Sequence, residues 1–250
     1  MSVRRPLSMW APRRQDGAAS VEFFVVFIVA ITLIMAVLQM GMFMIAKNTV
    51  NLATFAAARA GAASGGDVGE MKKAFAQALS GLYVAKGLRL AGSNGLTDVS
   101  SGNFQQVATG ATAYAFAAAS LPTNEIKILN PTREAFTDFG VPNPNGTAGR
   151  IIPATGLLTD TAVGAASQQT RADALLLKIR VRHCYEITMP LIGEAISKVY
   201  TDDAPMSPPP PENVLCMLEH PLPDGRMAHG VMIESEAVVR MTAPAIESNF

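Results

Sequence analysis

Glu22 is the residue whose position most restricts what this chain can do. It follows Ala18 by four residues and Gly17 by five, precedes Phe23, and stands at the mouth of residues 23–46, a run of 24 without a charged side chain. An unpaired carboxylate at a bilayer centre costs about 2.5–3.5 kcal/mol or more. At the rim the cost is smaller, and a cation beside it lowers it further. Ala18 and Glu22 share one helix face, and a glutamate in the first turn also meets the positive end of the helix dipole. By itself, Glu22 is either the water-facing start of an ordinary signal anchor or a group placed to pair with a cation.

The other residues able to do chemistry are few. Cys184 and Cys216 are the only cysteines. In an oxidising compartment such an isolated pair forms a disulfide, and closing this loop stabilises a fold by roughly 3–4 kcal/mol in the chain-entropy model. Two cysteines do not make a structural zinc site, and there is no Cys-x-x-Cys. His183 falls mid-strand on an apolar face, the place of a core histidine. His220 and His229 flank a turn-rich loop, with Glu219 or Asp224 as third ligand but no recognisable metal spacing. His183 and Cys184 are adjacent in a strand and point to opposite faces, which argues against a Cys–His dyad. No phosphate loop, zinc-protease helix or nucleophile elbow is present. The expectation is a protein that is not an enzyme and needs no cofactor or metal.

The elements that position these residues begin with the apolar run. A helix of that length covers roughly 36 Å, enough for a ~30 Å hydrocarbon core with some tilt. A cleavable secretory signal has an apolar region of only about 7–15 residues. Net charge is zero, but the leader carries Arg4, Arg5, Arg13 and Arg14 against Asp16, a balance of +3, which the remainder offsets at −3. This excess before the helix places the N-terminus in the cytoplasm and everything past Ala46 across the membrane. No basic stripe lies outside the leader, so nucleic acid is not an expected partner.

Past the run, small residues recur at Ala46, Val50, Ala53, Ala57, Ala60 and Gly61, a stripe that allows close helix approach, either to other helices or to the chain's own domain. Gly65-Gly66 ends this helix. Asp67 and Glu70 form a capping-box pattern before an amphipathic helix, with Met71, Phe75, Leu79 and Leu82 on one face, to about Val84. A further helix is expected from Phe104 to about Ala118. Residues 125–129 read as a short strand, 132–139 as one or two helical turns, and 141–156 as loop. Residues 174–189 form the clearest strand: Leu175, Leu177, Ile179, Val181, Tyr185 and Ile187 point one way, Lys178, Arg180 and Arg182 the other. Residues 191–199 suggest a short helix, and 204–212 an exposed proline-rich spacer. Residues 231–242 alternate again, so that Glu234 and Glu236 could meet the basic ladder if the two strands are antiparallel neighbours.

Gly17-Ala18-Ala19-Ser20-Val21-Glu22-Phe23, together with the basic leader and the alanine-arginine phrase Ala56 to Ala62, resembles the processing site and membrane helix of the TadE/TadF-like minor pilins of the Tad (Flp) type IV-like pilus. The resemblance covers about the first 65 residues. It implies an α+β, pilin-like protein: a cytoplasmic prepilin-type leader over 1–17, a transmembrane helix over 18–46, a helical periplasmic region over 47–121, and a β-rich periplasmic domain over 122–250 with the insertion 204–212. It implies inner-membrane localisation, a role as minor pilin or pilus-assembly factor, and a part in adhesion and biofilm formation. The implied partners are a prepilin peptidase, other Tad pilins, the assembly platform and the lipid bilayer.

The same resemblance implies cleavage between Gly17 and Ala18, although Asp16 stands where such precursors often carry a basic residue or glutamine. The freed Ala18 amine, with a reference pKa near ~7.7–8, would leave Glu22 to pair with the amine of a neighbouring subunit. Two other readings stay open: an unprocessed single-pass protein with a periplasmic interaction domain, and a membrane-anchored enzyme using the His220–His229 region. Gly17→Arg is expected to block cleavage and retain the 17-residue leader, read by intact mass with and without the peptidase. An intact leader in wild-type protein, made where the peptidase is active, would refute processing.

Overall fold

The structure is a computed structural model that describes residues 18–86, 104–144, 149–156, 161–187, 216, 220–223, 225 and 227–250. Helix α1, Ala18–Ala63, is 46 residues long. The chain divides into two compact units within this helix, Met1–Gly41 and Met42–Phe250. In the first unit every described side chain from Val21 to Leu38 is exposed. The second is an α+β domain, and it includes nearly half of the helix, from Met42 to Ala63.

In that domain the small residues of α1 form its buried face: Ala46, Val50, Ala53 and Ala57 are inaccessible to solvent. Gly61 continues this face: a Cβ there would lie 2.9 Å from Met71 Cγ and 3.0 Å from Leu177 Cδ2, so a larger residue would require the Met71 side chain to shift. The small-residue stripe is thus used inside the chain's own domain. The helix ends at Gly65, whose φ of +73° suits the left-handed cap that glycine adopts without strain. The amide of Gly66 donates to the Gly61 carbonyl at 2.8 Å. The Ala62 carbonyl accepts from the amides of Thr242 and Ala243, at 3.0 and 3.1 Å, pinning the helix end to the chain's C-terminal stretch.

Helix α2, Val68–Leu79, starts where Asp67 accepts from the amides of Gly69 and Glu70, and buries Met71, Phe75 and Leu79 as the period requires. It does not run on to Val84. Ser80–Tyr83 tightens into a 3₁₀ turn, and the shorter period moves burial from Leu82 to Tyr83. Helix α3, Phe104–Ala119, buries Val107, Ala111, Tyr114, Ala115 and Ala118, the face that the spacing predicts.

The principal sheet has the order β1-β4-β7, all antiparallel: Glu125–Asn130, Leu176–Glu186 and Gly230–Arg240. β4 is central and pairs with β7 along its whole length, Leu176 opposite Arg240 and Glu186 opposite Gly230. Leu177, Ile179, Val181 and His183 are buried on its inner face. The outer face carries the charge ladder that the alternation anticipates. Arg180 donates to Glu236 at 2.6 and 2.8 Å, Lys178 lies 2.9 Å from Glu236, and Arg182 Nε lies 3.4 Å from Glu234. Such exposed pairs contribute only about 0.2–1 kcal/mol each. The strand expected over 174–189 begins later, because Thr170 and Asp173 close a capping box around the short helix α5, Arg171–Ala174. Helix α4 spans Arg133–Phe139.

Residues 141–156 are not all loop. β2, Val141–Pro142, pairs with β3, Arg150–Ile152, and β3 pairs with β8, Ala245–Ile246. β5, His220–Pro221, and β6, Met227–Ala228, form a separate hairpin. The expected helix over 191–199 and the proline-rich stretch 204–212 lie outside the described residues.

Two asparagines frame β1. Asn130 donates to the Leu176 and Asp173 carbonyls at 2.6 and 3.0 Å. Asn124 donates to the Ala118 carbonyl at the end of α3, while its own carbonyl accepts from the Cys184 amide, both at 2.6 Å. β1 pairs no further along β4 than Arg182, so Asn124 completes the hydrogen bonding that β1 leaves off. Asn124→Ala is expected to cost about 1–3 kcal/mol in chemical unfolding, against less than about 1 kcal/mol for Glu125→Ala, whose carboxylate is 3.9 Å from Arg182.

Candidate anchoring and processing site

The helix that carries the Glu22 motif begins at Ala18. Glu22 is the fifth residue of the described span of this helix, Ala18–Ala63. Gly17 lies outside the described residues. Glu22 and Phe23 are both exposed. The Phe23 ring stacks on Phe27 one turn later, centroids 5.9 Å apart, so this face is aromatic immediately after the carboxylate. Beyond Glu22 no charged residue interrupts the helix before Lys47. Among the described residues, this is the one helix long and apolar enough to cross a membrane, with a mean hydropathy of 2.9 in its most apolar window.

A long apolar helix with a lone carboxylate where its apolar run begins, leading into an α+β domain, is a candidate membrane anchor. Residues 17–59 match the family model described as TadE-like protein, which supports the resemblance read from the motif over that segment. The match lies on the motif and α1 and includes none of the sheet. Comparison with curated proteins and with solved structures finds no match.

The cysteines meet at the far end of β4. Cys184 and Cys216 form a disulfide with Cα atoms 5.6 Å apart, and both are buried. Gly230, the β7 residue opposite Glu186, gives the bridge its room: a Cβ at Gly230 would stand 2.5 Å from the Cys184 sulfur and 2.9 Å from the Cys216 sulfur. That role depends on cross-strand register and has no local signature. Cys184 is bonded and so cannot serve as a thiolate beside His183. Among the described residues no group of three or more His, Cys, Asp or Glu side chains could hold a metal ion; Glu219 and Asp224 lie outside them.

His183 is fully buried on the inner face of β4. Its Nε2 is 2.9 Å from the Tyr83 hydroxyl, its ring meets Phe75 edge-on at 5.8 Å, and its Nδ1 has no hydrogen-bond partner. Tyr83 in turn packs on Tyr114, centroids 5.1 Å apart. Burial pushes the His183 pKa down to about 4 and raises that of the Tyr83 hydroxyl. The Tyr83–His183 contact was not legible locally, because it joins residues 100 apart in the chain.

The sign of the pH effect follows. Below the ordinary value of 6.5 the unfolded chain takes up a proton on this imidazole and the folded chain does not, so stability falls with pH until about 4. The loss is on the order of 3 kcal/mol. The carboxylates of Asp138 and Glu236 have lowered values from 3.8 and 4.5, held down by hydrogen bonds from Ser167 and from Lys178 and Arg180. Their contributions are lost only as pH falls toward and below those figures. Chemical unfolding is therefore expected to show falling stability from pH 6.5 to about 5 in wild type, and a flatter profile in His183→Gln. Equal slopes would remove His183 as the cause.

Proposed function

We propose that this chain is a minor pilin or pilus-assembly factor of a Tad (Flp) type IVb pilus. The observation that carries the reading is the TadE-like match over residues 17–59, on a helix whose apolar run opens with Glu22. In this reading residues 1–17 are a cytoplasmic leader removed by a prepilin peptidase, 18–46 cross the inner membrane, and the helical and β-rich regions, 47–121 and 122–250, lie in the periplasm. The arginine excess before the helix supports that orientation, and a disulfide between Cys184 and Cys216 suits an oxidising compartment. Partners are the peptidase, other pilins and the assembly platform, and adhesion and biofilm formation follow from a working pilus.

The mechanism rests on one charge pair. Cleavage after Gly17 creates a protonated amine on Ala18, and Glu22 supplies its counter-charge from a neighbouring subunit, setting the axial register of packed helices. A subunit whose amine enters an apolar environment unpartnered carries a desolvation cost. Glu22→Gln keeps size and polarity and removes the charge. Membrane insertion and folding are expected to survive, since the apolar run and leader arginines set topology and the sheet lies more than a hundred residues away. Surface pili, counted by microscopy, are expected to fall by roughly fivefold, the equivalent of ~1 kcal/mol per incorporation. Full piliation by this variant, where deleting the protein abolishes pili, would overturn the proposed role of Glu22.

A further inference from the structure

The last residues of the apolar run belong to the α+β domain. With Glu22 at one rim of the membrane, a run of roughly 36 Å exceeds a ~30 Å core by about four residues. On the membrane-spanning reading proposed above, that surplus puts the segment near Phe43 to Ala46 in the headgroup layer. There Met42 and Ile45 line an open cleft of about 190 Å³ together with Tyr83, Lys86, Tyr185 and Glu186.

The cleft has apolar walls and a charged end of both signs. Lys86 Nζ contacts Glu186 Oε2, with side chains only 14% and 12% exposed. Lys86 also donates to the Tyr114 hydroxyl at 3.3 Å and lies 5.0 Å from the Tyr114 ring centroid. Phe43 meets Tyr185 edge-on at 6.2 Å. Tyrosine and lysine are side chains suited to a membrane–water boundary. An ion pair shielded from water costs desolvation that an apolar pair of similar volume would avoid, so packing alone does not account for these two residues beside an apolar cleft.

We propose that the cleft binds one phospholipid of the adjoining leaflet, with a headgroup that carries a primary ammonium beside its phosphate. Charge complementarity selects it. The phosphate takes Lys86 and the ammonium takes Glu186, so one ion pair is replaced by two charge-assisted contacts. The glycerol and first acyl carbons lie along Met42 and Ile45. An anionic headgroup without an amine brings nothing to Glu186. A trimethylated ammonium has no N–H to donate.

The test uses the full chain in detergent and native mass spectrometry with added phosphatidylethanolamine, phosphatidylglycerol or phosphatidylcholine. Phosphatidylethanolamine adducts are expected to exceed the other two by roughly tenfold, the effect of one charge-assisted hydrogen bond. Glu186→Gln is expected to abolish that preference, and the double variant Lys86→Glu with Glu186→Lys to restore it, with amide exchange of β4 and β7 reporting the fold. Equal retention of the three lipids, or an unchanged preference in Glu186→Gln, overturns the proposal. If the single variants fail to fold, the wild-type preference alone decides. Carbonate extraction of wild-type membranes separates the two levels: release refutes the membrane-spanning reading, whereas retention without lipid preference refutes only the headgroup site.

Discussion

The domain depends on how closely α1 approaches α2 and β4. At Gly61 there is no room for a single additional carbon between the helix, Met71 and Leu177. The alanines one and two turns earlier extend the same close contact. Protein interiors are packed to crystal density, so a methyl group here would force the Met71 side chain to shift. The Ala62 carbonyl is then taken by the amides of Thr242 and Ala243, which makes the chain's last residues part of the support for the helix end. One continuous helix therefore serves two environments. Its apolar first part is exposed and its last part is core.

Within the second unit, burial of Ala46, Val50, Ala53 and Ala57 packs the helix with side chains that lose little rotamer entropy. The sheet contributes on its inner face through β4, with Tyr83 and His183 as the polar contact inside the core. Its outer face is a ladder of ion pairs that joins Lys178, Arg180 and Arg182 to Glu234 and Glu236. Like charges on one strand meet opposite charges on the next, which offsets the repulsion within each strand.

Several local readings changed once tertiary partners were in place. Loop 141–156 contains β2 and β3 because β8, almost a hundred residues later, supplies a partner for Ile151 and Ile152. The stripe past Leu79 shifted from Leu82 to Tyr83, since a 3₁₀ turn has a shorter period than the helix it follows.

The sequence by itself determined the apolar run, the position of Glu22 within it, the capping of α2 at Asp67, the buried face of α3 and the two alternating strands with their opposite charges. Each of these is a periodic or nearest-neighbour property, set by 3.6- or 2-residue repeats and by side chains hydrogen-bonding amides two or three residues away. Only the tertiary structure decided the use of the small-residue stripe, the need for glycine at 61 and 230, the Asn124 and Asn130 clamps around β1, and the meeting of Tyr83 with His183 and of Lys86 with Glu186. Those are distances between segments far apart in the chain, and they exist only once β4 is laid beneath the helices.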